Sequence, residues 1–140
     1  MTYFISGHRN ITKEEFDKFY APKINEAIEV AFRDNTRFVV GDYEGADIMA
    51  QEYLKTLCEE GRLNYSQVSV YYMFDSPRHL ASDKFTLVGG FKRDVERDSA
   101  MTEASDKDIA FIRKGNGQVE LLRIFWEDMK NLKRKVNYHK

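Results

Sequence analysis

The feature that most restricts the fold of this chain is a repeated succession of a short apolar run, a polar or glycine-containing loop, and a helix-like segment. The apolar runs cover residues 2–6, 37–40, 68–73 and 109–112. Short runs rich in apolar residues are typical of strands buried in a parallel sheet, and helices usually connect such strands. The sequence therefore predicts an α/β fold, with a mostly parallel sheet of about five strands in one Rossmann-like, three-layer domain over residues 1–140.

The segments between the apolar runs carry helix signals. Thr12 and Glu15 have the spacing of a capping box, in which each side chain binds the backbone N–H of the other residue. We expect Pro22 to break or restart the helix that follows, because proline has no backbone N–H to donate. Further helices are predicted from 24 to 34, from 46 to about 60, near 97–105 and from 118 onward, and a short fifth strand at 135–138.

Residues 74–91 show the least regular pattern in the chain. They contain a Ser-Pro-Arg sequence at 76–78 and two adjacent glycines at 89–90. Long irregular segments in compact domains are usually functional or mobile. We therefore interpret residues 74–91 as a lid over a ligand site.

Composition suits one domain with a sizeable core and excludes several classes of function. The chain is 42% hydrophobic, and its 22 basic and 23 acidic residues leave a net charge of −1. Such a balance gives no overall field for a nucleic acid polymer or a membrane surface. No apolar run approaches the ~20 residues that cross a bilayer, and the N-terminus does not resemble a signal peptide. We expect a cytoplasmic protein.

Motifs for metal, hydrolase and dinucleotide chemistry are missing from the sequence. The single cysteine, Cys58, excludes an internal disulfide and a cysteine-rich zinc site, and the three histidines are scattered without metal-binding spacing. The chain has no G-x-S-x-G elbow and no P-loop. The first loop also lacks a full G-x-G-x-x-G, which argues against a nicotinamide dehydrogenase. We therefore expect no metal and no cofactor.

The loops that follow the predicted strands carry the candidate ligand-binding residues. Ligands of open parallel sheets bind at the carboxyl ends of the strands, so these loops should converge on one edge. Arg9 is suited to a phosphate or carboxylate, His8 to a ribose or base, and Asp42 to a ribose hydroxyl. Asp47 has the position of a first-turn helix acid. The predicted ligand-binding residues are Gly7, His8, Arg9, Gly41, Asp42, Gly45, Gly115, Asn116, Gly117 and Gln118.

The last of these loops has the form of an anion site. A strand, a glycine-bearing turn and a helix start present free backbone N–H groups to a phosphate. Gly115, Asn116 and Gly117 form the turn, and Glu120 falls in the first turn of the predicted helix. A simple connection between a strand and a helix explains the same pattern if Glu120 only interacts with the helix dipole.

These residues together resemble the SLOG superfamily. The resemblance rests on R-x-x-x-M-x-x-x-S-D, followed by an apolar strand and G-x-G-x-x-E. Enzymes of this kind include the LONELY GUY phosphoribohydrolases, and the Gly-Asp-x-x-Gly-Ala-Asp loop that begins at Gly41 is similar to small YpsA-like members. Nucleoside deoxyribosyltransferases and deoxyribonucleotide N-hydrolases are also similar. The residues that carry the resemblance are Arg97, Met101, Ser105, Asp106, Gly115, Gly117 and Glu120.

The resemblance implies a nucleotide or nucleotide-derived ligand and chemistry at its N-glycosidic bond. Glu120 would be the nucleophile, Asp98 would assist it, and Arg97 would hold phosphate or charge. This sequence departs from the family pattern at Arg113 and Lys114, at Gln118, and at Leu121, where the family has a second glutamate. Related domains often complete their pockets across a dimer, so the resemblance also implies a homo-oligomer.

Two other interpretations remain open. The same residues would serve a non-catalytic sensor or sponge for a nucleotide-derived, ADP-ribose-like ligand. A structural protein that oligomerises through apolar helix faces would bind no ligand at all.

Overall fold

The computed structural model describes residues 1–30, 35–113 and 121–123, and these residues form an α/β sheet structure. Most predicted elements are present close to their predicted bounds. The elements in chain order are β1 (Thr2–Ser6), α1 (Lys13–Glu15), a π-helical segment (Phe16–Tyr20), α2 (Ala21–Val30), β2 (Arg37–Gly41), α3 (Ala46–Glu59), a 3₁₀ turn (Tyr65–Gln67), β3 (Val68–Met73), β4 (Thr86–Phe91), α4 (Asp94–Ala104), β5 (Lys107–Arg113) and β6 (Leu121–Arg123).

The sheet has the strand order β4-β3-β2-β1-β5-β6. Strands β1 to β5 pair in parallel, and β6 pairs antiparallel with β5. The prediction of a Rossmann-like, mostly parallel sheet is therefore confirmed. The strand order reverses at β1, because β2, β3 and β4 follow on one side of it and β5 lies on the other. Ligands of open α/β sheets bind outside the carboxyl ends of the strands at such a reversal.

Each face of the sheet packs against helices. On one face, the π-helical segment, α2 and α3 bury a large core against the sheet, with Tyr20, Phe38 and Leu54 fully enclosed. On the other face, Met101 of α4 packs with Phe4 of β1 and neighbouring side chains. The sheet and the helices on its two faces are the three layers that the apolar runs predict.

The Tyr20 side chain fills the gap where β1 and β5 separate. Its hydroxyl donates to the Ser6 carbonyl oxygen at 2.7 Å and accepts from the Phe111 N–H at 3.2 Å. Gly7 leaves the room for this contact, since a Cβ on Gly7 would lie 2.0 Å from the Tyr20 hydroxyl oxygen. The end of β1 is thus fixed at the point where the strand order reverses.

The start of the first helical region agrees with the sequence. Thr12 and Glu15 form the predicted capping box, with the Glu15 N–H donating to the Thr12 hydroxyl at 3.1 Å. The backbone changes from π-helical to α-helical at Ala21, directly before Pro22. Pro22 therefore does not break the helical region, which continues without a gap from Lys13 to Val30, and only the hydrogen-bonding pattern changes beside it.

Two elements correct the sequence-based assignment. Residues 86–91, predicted to be irregular, form the edge strand β4. Gly89 lies under the Tyr72 ring in this strand, and a Cβ there would collide with the ring. Leu121 and Leu122, predicted to continue a new helix, instead lie in β6, where Leu121 pairs with Arg113. Hydrogen bonding to the open edge of β5 therefore prevails over local helix propensity. The expected helical residues 124–129 and the expected strand at 135–138 lie outside the described residues.

Within the described part of the chain, no helix is long and apolar enough to cross a membrane. Cys58 is a half-buried free thiol on α3.

Candidate functional site

A cleft of about 340 Å³ opens at the carboxyl ends of the central strands. The end of β1, the loop after β2, the first turn of α3 and the middle of α4 surround it. This position is the reversal of strand order at which ligands of α/β sheets bind. The residues lining it are Phe4, Ser6, Gly7, His8, Tyr43, Glu44, Asp47, Arg97, Asp98 and Met101.

Gly45 permits close contact between the two loops that form one side of the cleft. Its φ is +81°, and a Cβ would lie 2.2 Å from the Arg9 carbonyl oxygen. The next residue, Ala46, donates its N–H to the His8 carbonyl oxygen at 3.0 Å. The loop after β1 and the start of α3 therefore approach each other as closely as backbones can, which only glycine permits here.

Substitution of Gly45 by alanine tests this close approach. We expect Gly45→Ala to lower the free energy of unfolding by more than about 2 kcal/mol, because it adds a backbone collision to the cost of a positive φ. Gly61 is the matched control, since its φ is +76° but nothing lies within 4 Å of its would-be Cβ. Urea denaturation of both variants gives the comparison, and equal losses would contradict the role assigned to Gly45.

Asp42 is a fully buried carboxylate that binds two arginines. Its Oδ1 accepts from Arg97 Nη1 and from Arg78 Nη2, each at 2.9 Å. Its Oδ2 accepts from the Arg78 backbone N–H at 2.9 Å and from Arg78 Nε at 3.2 Å. Burial alone would raise the pKa of Asp42, but the hydrogen bonds from Arg78 and the two positive charges lower this pKa overall. Asp42 therefore holds the arginines in place.

Arg97 is a buried cation at the cleft. Only 8% of the residue is exposed. Besides Asp42, it binds Asp98, with 3.3 Å between Arg97 Nη2 and Asp98 Oδ1. Its Nε is buried and has no hydrogen-bond partner among the described residues. A buried donor without a partner is costly, and the bonds of the two Nη atoms to Asp42 and Asp98 hold the side chain in place.

Asp47 is one of three acidic residues that line the cleft, together with Glu44 and Asp98. Its Oδ2 accepts from the Tyr43 N–H at 3.2 Å. Gly41 leaves space for this carboxyl group, because a Cβ on Gly41 would lie 2.4 Å from Asp47 Oδ2. Burial raises the pKa of Asp47 to about 6, even though the Tyr43 N–H and the Arg97 charge act in the opposite direction. The negative charges of Asp98 and Asp42 contribute to the rise.

Residues 78–81 lie beside the cleft and are tied to α3 and the end of β2. The His79 N–H donates to the Asp42 carbonyl oxygen at 3.1 Å. The Gln51 side chain donates to the His79 carbonyl oxygen at 3.2 Å and accepts from the Ala81 N–H at 2.9 Å. These contacts favour a fixed support over the lid expected for residues 74–91.

The structure brings together several of the residues predicted from the sequence. Gly7, His8, Arg97 and Asp98 all line the cleft. Met101, from the family pattern, forms part of its apolar surface.

Other predicted residues take different positions. Arg9 does not line the cleft: its side chain is 67% exposed, and it contacts Glu44 at 3.6 Å and the Tyr43 hydroxyl at 3.2 Å. Asp42, expected to bind a ribose hydroxyl, is occupied by arginines. Gly41 leaves space for the Asp47 carboxyl group, and Gly45 leaves space for the Arg9 backbone. The remaining predicted residues, Gly115, Asn116, Gly117, Gln118 and Glu120, lie outside the described residues.

Sequence reasoning missed several residues of the site, and Asp47, Tyr43 and Arg78 matter most among them. Asp47 has the first-turn position expected from the sequence, but it also faces the cleft. Tyr43 and Arg78 were not singled out, although the Arg78 guanidinium carbon lies 4.7 Å from the Tyr43 ring centroid. The position of Asp47 one turn after the Gly41-Asp42 strand end was the available signal for its role. Arg78 gave no such signal, because its partner lies 36 residues away.

Among the described residues, no group of three or more His, Cys, Asp or Glu side chains is placed to hold a metal ion. Comparisons of the chain with protein-family models, curated proteins and solved structures found no match.

Proposed function

We propose that this cleft binds a nucleotide or nucleotide-derived ligand and that the protein cleaves or transfers its N-glycosidic bond. The observation that carries the proposal is the convergence of Asp47, Asp98 and the buried Arg97 on one cleft at the reversal of strand order. The SLOG-like residues in α4 and on either side of β5 support the same class of ligand.

The two carboxyl groups suit the two charges that develop during glycosidic cleavage. Positive charge develops at the anomeric carbon, and negative charge develops on the departing base. Asp98, with its side chain 45% exposed beside Arg97, would face the anomeric carbon. Asp47, whose pKa is raised to about 6, would donate a proton to the departing base. Carboxyl groups in different environments can divide the acid and base roles in this way.

The resemblance assigns the nucleophile to Glu120, which lies outside the described residues. Leu121, the next residue, pairs with Arg113 at the carboxyl end of β5. Strand β5 is the neighbour of β1 across the reversal of strand order. In the proposed reaction, Glu120 attacks the anomeric carbon while the bond to the base breaks and the base takes a proton from Asp47, and water or a second base then releases the sugar from Glu120.

Incubation with nucleoside monophosphates tests the reaction directly, with released base measured by chromatography. We expect the wild type to release base and Asp98→Asn to reduce the rate by about 100-fold or more, the usual loss for a charged group acting on the reacting atoms. Asp83→Asn, which changes an exposed acid outside the cleft, is the control. Equal rates in Asp98→Asn and wild type would contradict the role of Asp98, and no base release with any substrate would contradict the reaction.

A sensor or sponge that binds without turnover is the second candidate, and one observation favours it. The position expected for Glu120, in the first turn of a helix, depended on a helix that continues through Leu121 and Leu122, but these residues lie in β6. A thermal shift with nucleotides or ADP-ribose, unaccompanied by released base, would favour the sensor.

A further inference from the structure

We propose that the Tyr43 ring is the surface on which the planar base of the ligand stacks, and that Arg78 is the residue that positions it. This inference rests on the proposed binding of a nucleotide-derived ligand in the cleft. It assigns the base to a particular side of that cleft, between the loop after β2 and residues 78–81.

Tyr43 is held at three points. Its backbone N–H donates to Asp47 Oδ2, and its hydroxyl accepts from Arg9 Nη1 at 3.2 Å. The Arg78 guanidinium lies over the ring, 4.7 Å from the centroid. The residue is nevertheless only half-buried and lines the cleft, so part of the ring remains available to a ligand. An aromatic ring fixed before binding loses little conformational entropy when a base stacks on it.

Arg78 is itself fixed and cannot follow a moving Tyr43. Three hydrogen bonds join Arg78 to the buried Asp42 carboxylate. A bidentate arginine-carboxylate pair of this kind fixes the plane of the guanidinium group. The ring of Tyr43 is therefore supported by a rigid cation, and this contact combines cation–π attraction with a fixed orientation.

Tyr43 and Asp47 also relate the base to the rest of the ligand. Both residues line the same cleft, so a base on the Tyr43 ring would share that cleft with the carboxyl group proposed to protonate it. The sugar would then extend towards Arg97 and Asp98, which line the same cleft. The proposed contacts to the base, to its proton and to the sugar thus lie in one cleft.

The test separates the contribution of the base from that of the sugar phosphate. Isothermal titration would compare AMP, GMP, CMP and UMP with ribose 5-phosphate, which lacks a base. We expect wild type to bind at least one mononucleotide more tightly than ribose 5-phosphate. Tyr43→Ala should weaken the binding of that mononucleotide by about tenfold or more, as removal of a stacking aromatic usually does. The affinity for ribose 5-phosphate should not change. Tyr43→Phe should retain most of the affinity.

Two further variants isolate positioning from folding. Arg78→Gln should lower the ratio of mononucleotide to ribose 5-phosphate affinity, and Arg78→Lys should restore it only in part, because lysine lacks the planar fork. Tyr72→Ala is the control, since Tyr72 packs on Gly89 of β4 and does not line the cleft. If the wild type prefers a mononucleotide and Tyr43→Ala keeps the same preference, the stacking site alone is overturned. Wild type that binds none of the ligands would overturn the proposed function and this inference with it.

Discussion

Asp42→Asn is expected to lower the free energy of unfolding by about 3 kcal/mol or more, the usual cost of breaking a buried ion pair by removing one partner. Both Asp42 oxygens accept from arginine donors. Asparagine keeps the volume but replaces one acceptor with an N–H₂ donor that would face the donors of Arg78. Arg97, which is 8% exposed, would also lose its principal countercharge.

Urea denaturation at pH 7 measures this loss. Asp83→Asn is the matched control, because it makes the same chemical change at an exposed position. Arg78→Gln should cost less than Asp42→Asn, since the Arg78 side chain is 35% exposed and water can replace part of its bonding. A loss below about 1 kcal/mol for Asp42→Asn would show that the two arginines do not depend on this carboxylate.

The effect of Asp42→Asn should also depend on pH in one direction. The folded-state pKa of Asp42 lies below its ordinary value, so the folded state favours the ionised form. This contribution to stability is fully present above the unfolded pKa of about 4 and is lost as the pH falls through the folded value. The difference between wild type and variant should therefore shrink in acid.

The fold could be predicted from the sequence wherever hydrophobic periodicity and local signals agree. β1, β2, β3 and β5 are apolar runs bounded by polar loops, and α3 and α4 have helical spacing. β4 escaped prediction because Gly89 and Gly90 weaken the strand signal, and only the Tyr72 ring over Gly89 explains the glycine. β6 escaped because its pairing with β5 is a tertiary effect, which local propensity does not contain.

The site could be predicted only where a residue type and its position in the chain are sufficient. Gly7 and His8 follow a central strand, and Arg97 belongs to the pattern that resembles the SLOG superfamily, so all three could be expected at the cleft. The burial of Asp42 could not be predicted, because it depends on Arg78 and Arg97, which come from two other elements. Asp47 was assigned correctly to a helix start, but its raised pKa depends on enclosure that the sequence does not show.

Asp47→Asn is expected to raise the free energy of unfolding at pH 7 by about 2 kcal/mol. The pKa of Asp47 is raised by roughly two units, each unit corresponds to about 1.4 kcal/mol, and solvent in the open cleft screens part of this energy. The folded pKa of Asp47 is about 6, whereas an unfolded aspartate has a pKa near 4. Between these values the folded state binds more protons than the unfolded state, so stability falls as the pH rises from 4 to 6. Asparagine keeps an acceptor for the Tyr43 N–H and carries no charge.

Thermal denaturation of wild type and Asp47→Asn between pH 4 and 8 tests this expectation. The two proteins should have similar stability near pH 4 and separate as the pH rises through 6, after which the difference should remain constant. A variant that is equally stable or less stable at pH 7 would show that the ionised Asp47 carboxylate does not destabilise the folded state.

The same variant links stability to function. A carboxyl group whose ionised form lowers stability is characteristic of a functional site. If Asp47 donates the proton to the departing base, Asp47→Asn should release base at least about 100-fold more slowly while folding more stably. A variant that gains stability and keeps full turnover would remove Asp47 from the reaction, and the proton would then have to come from another group at the cleft.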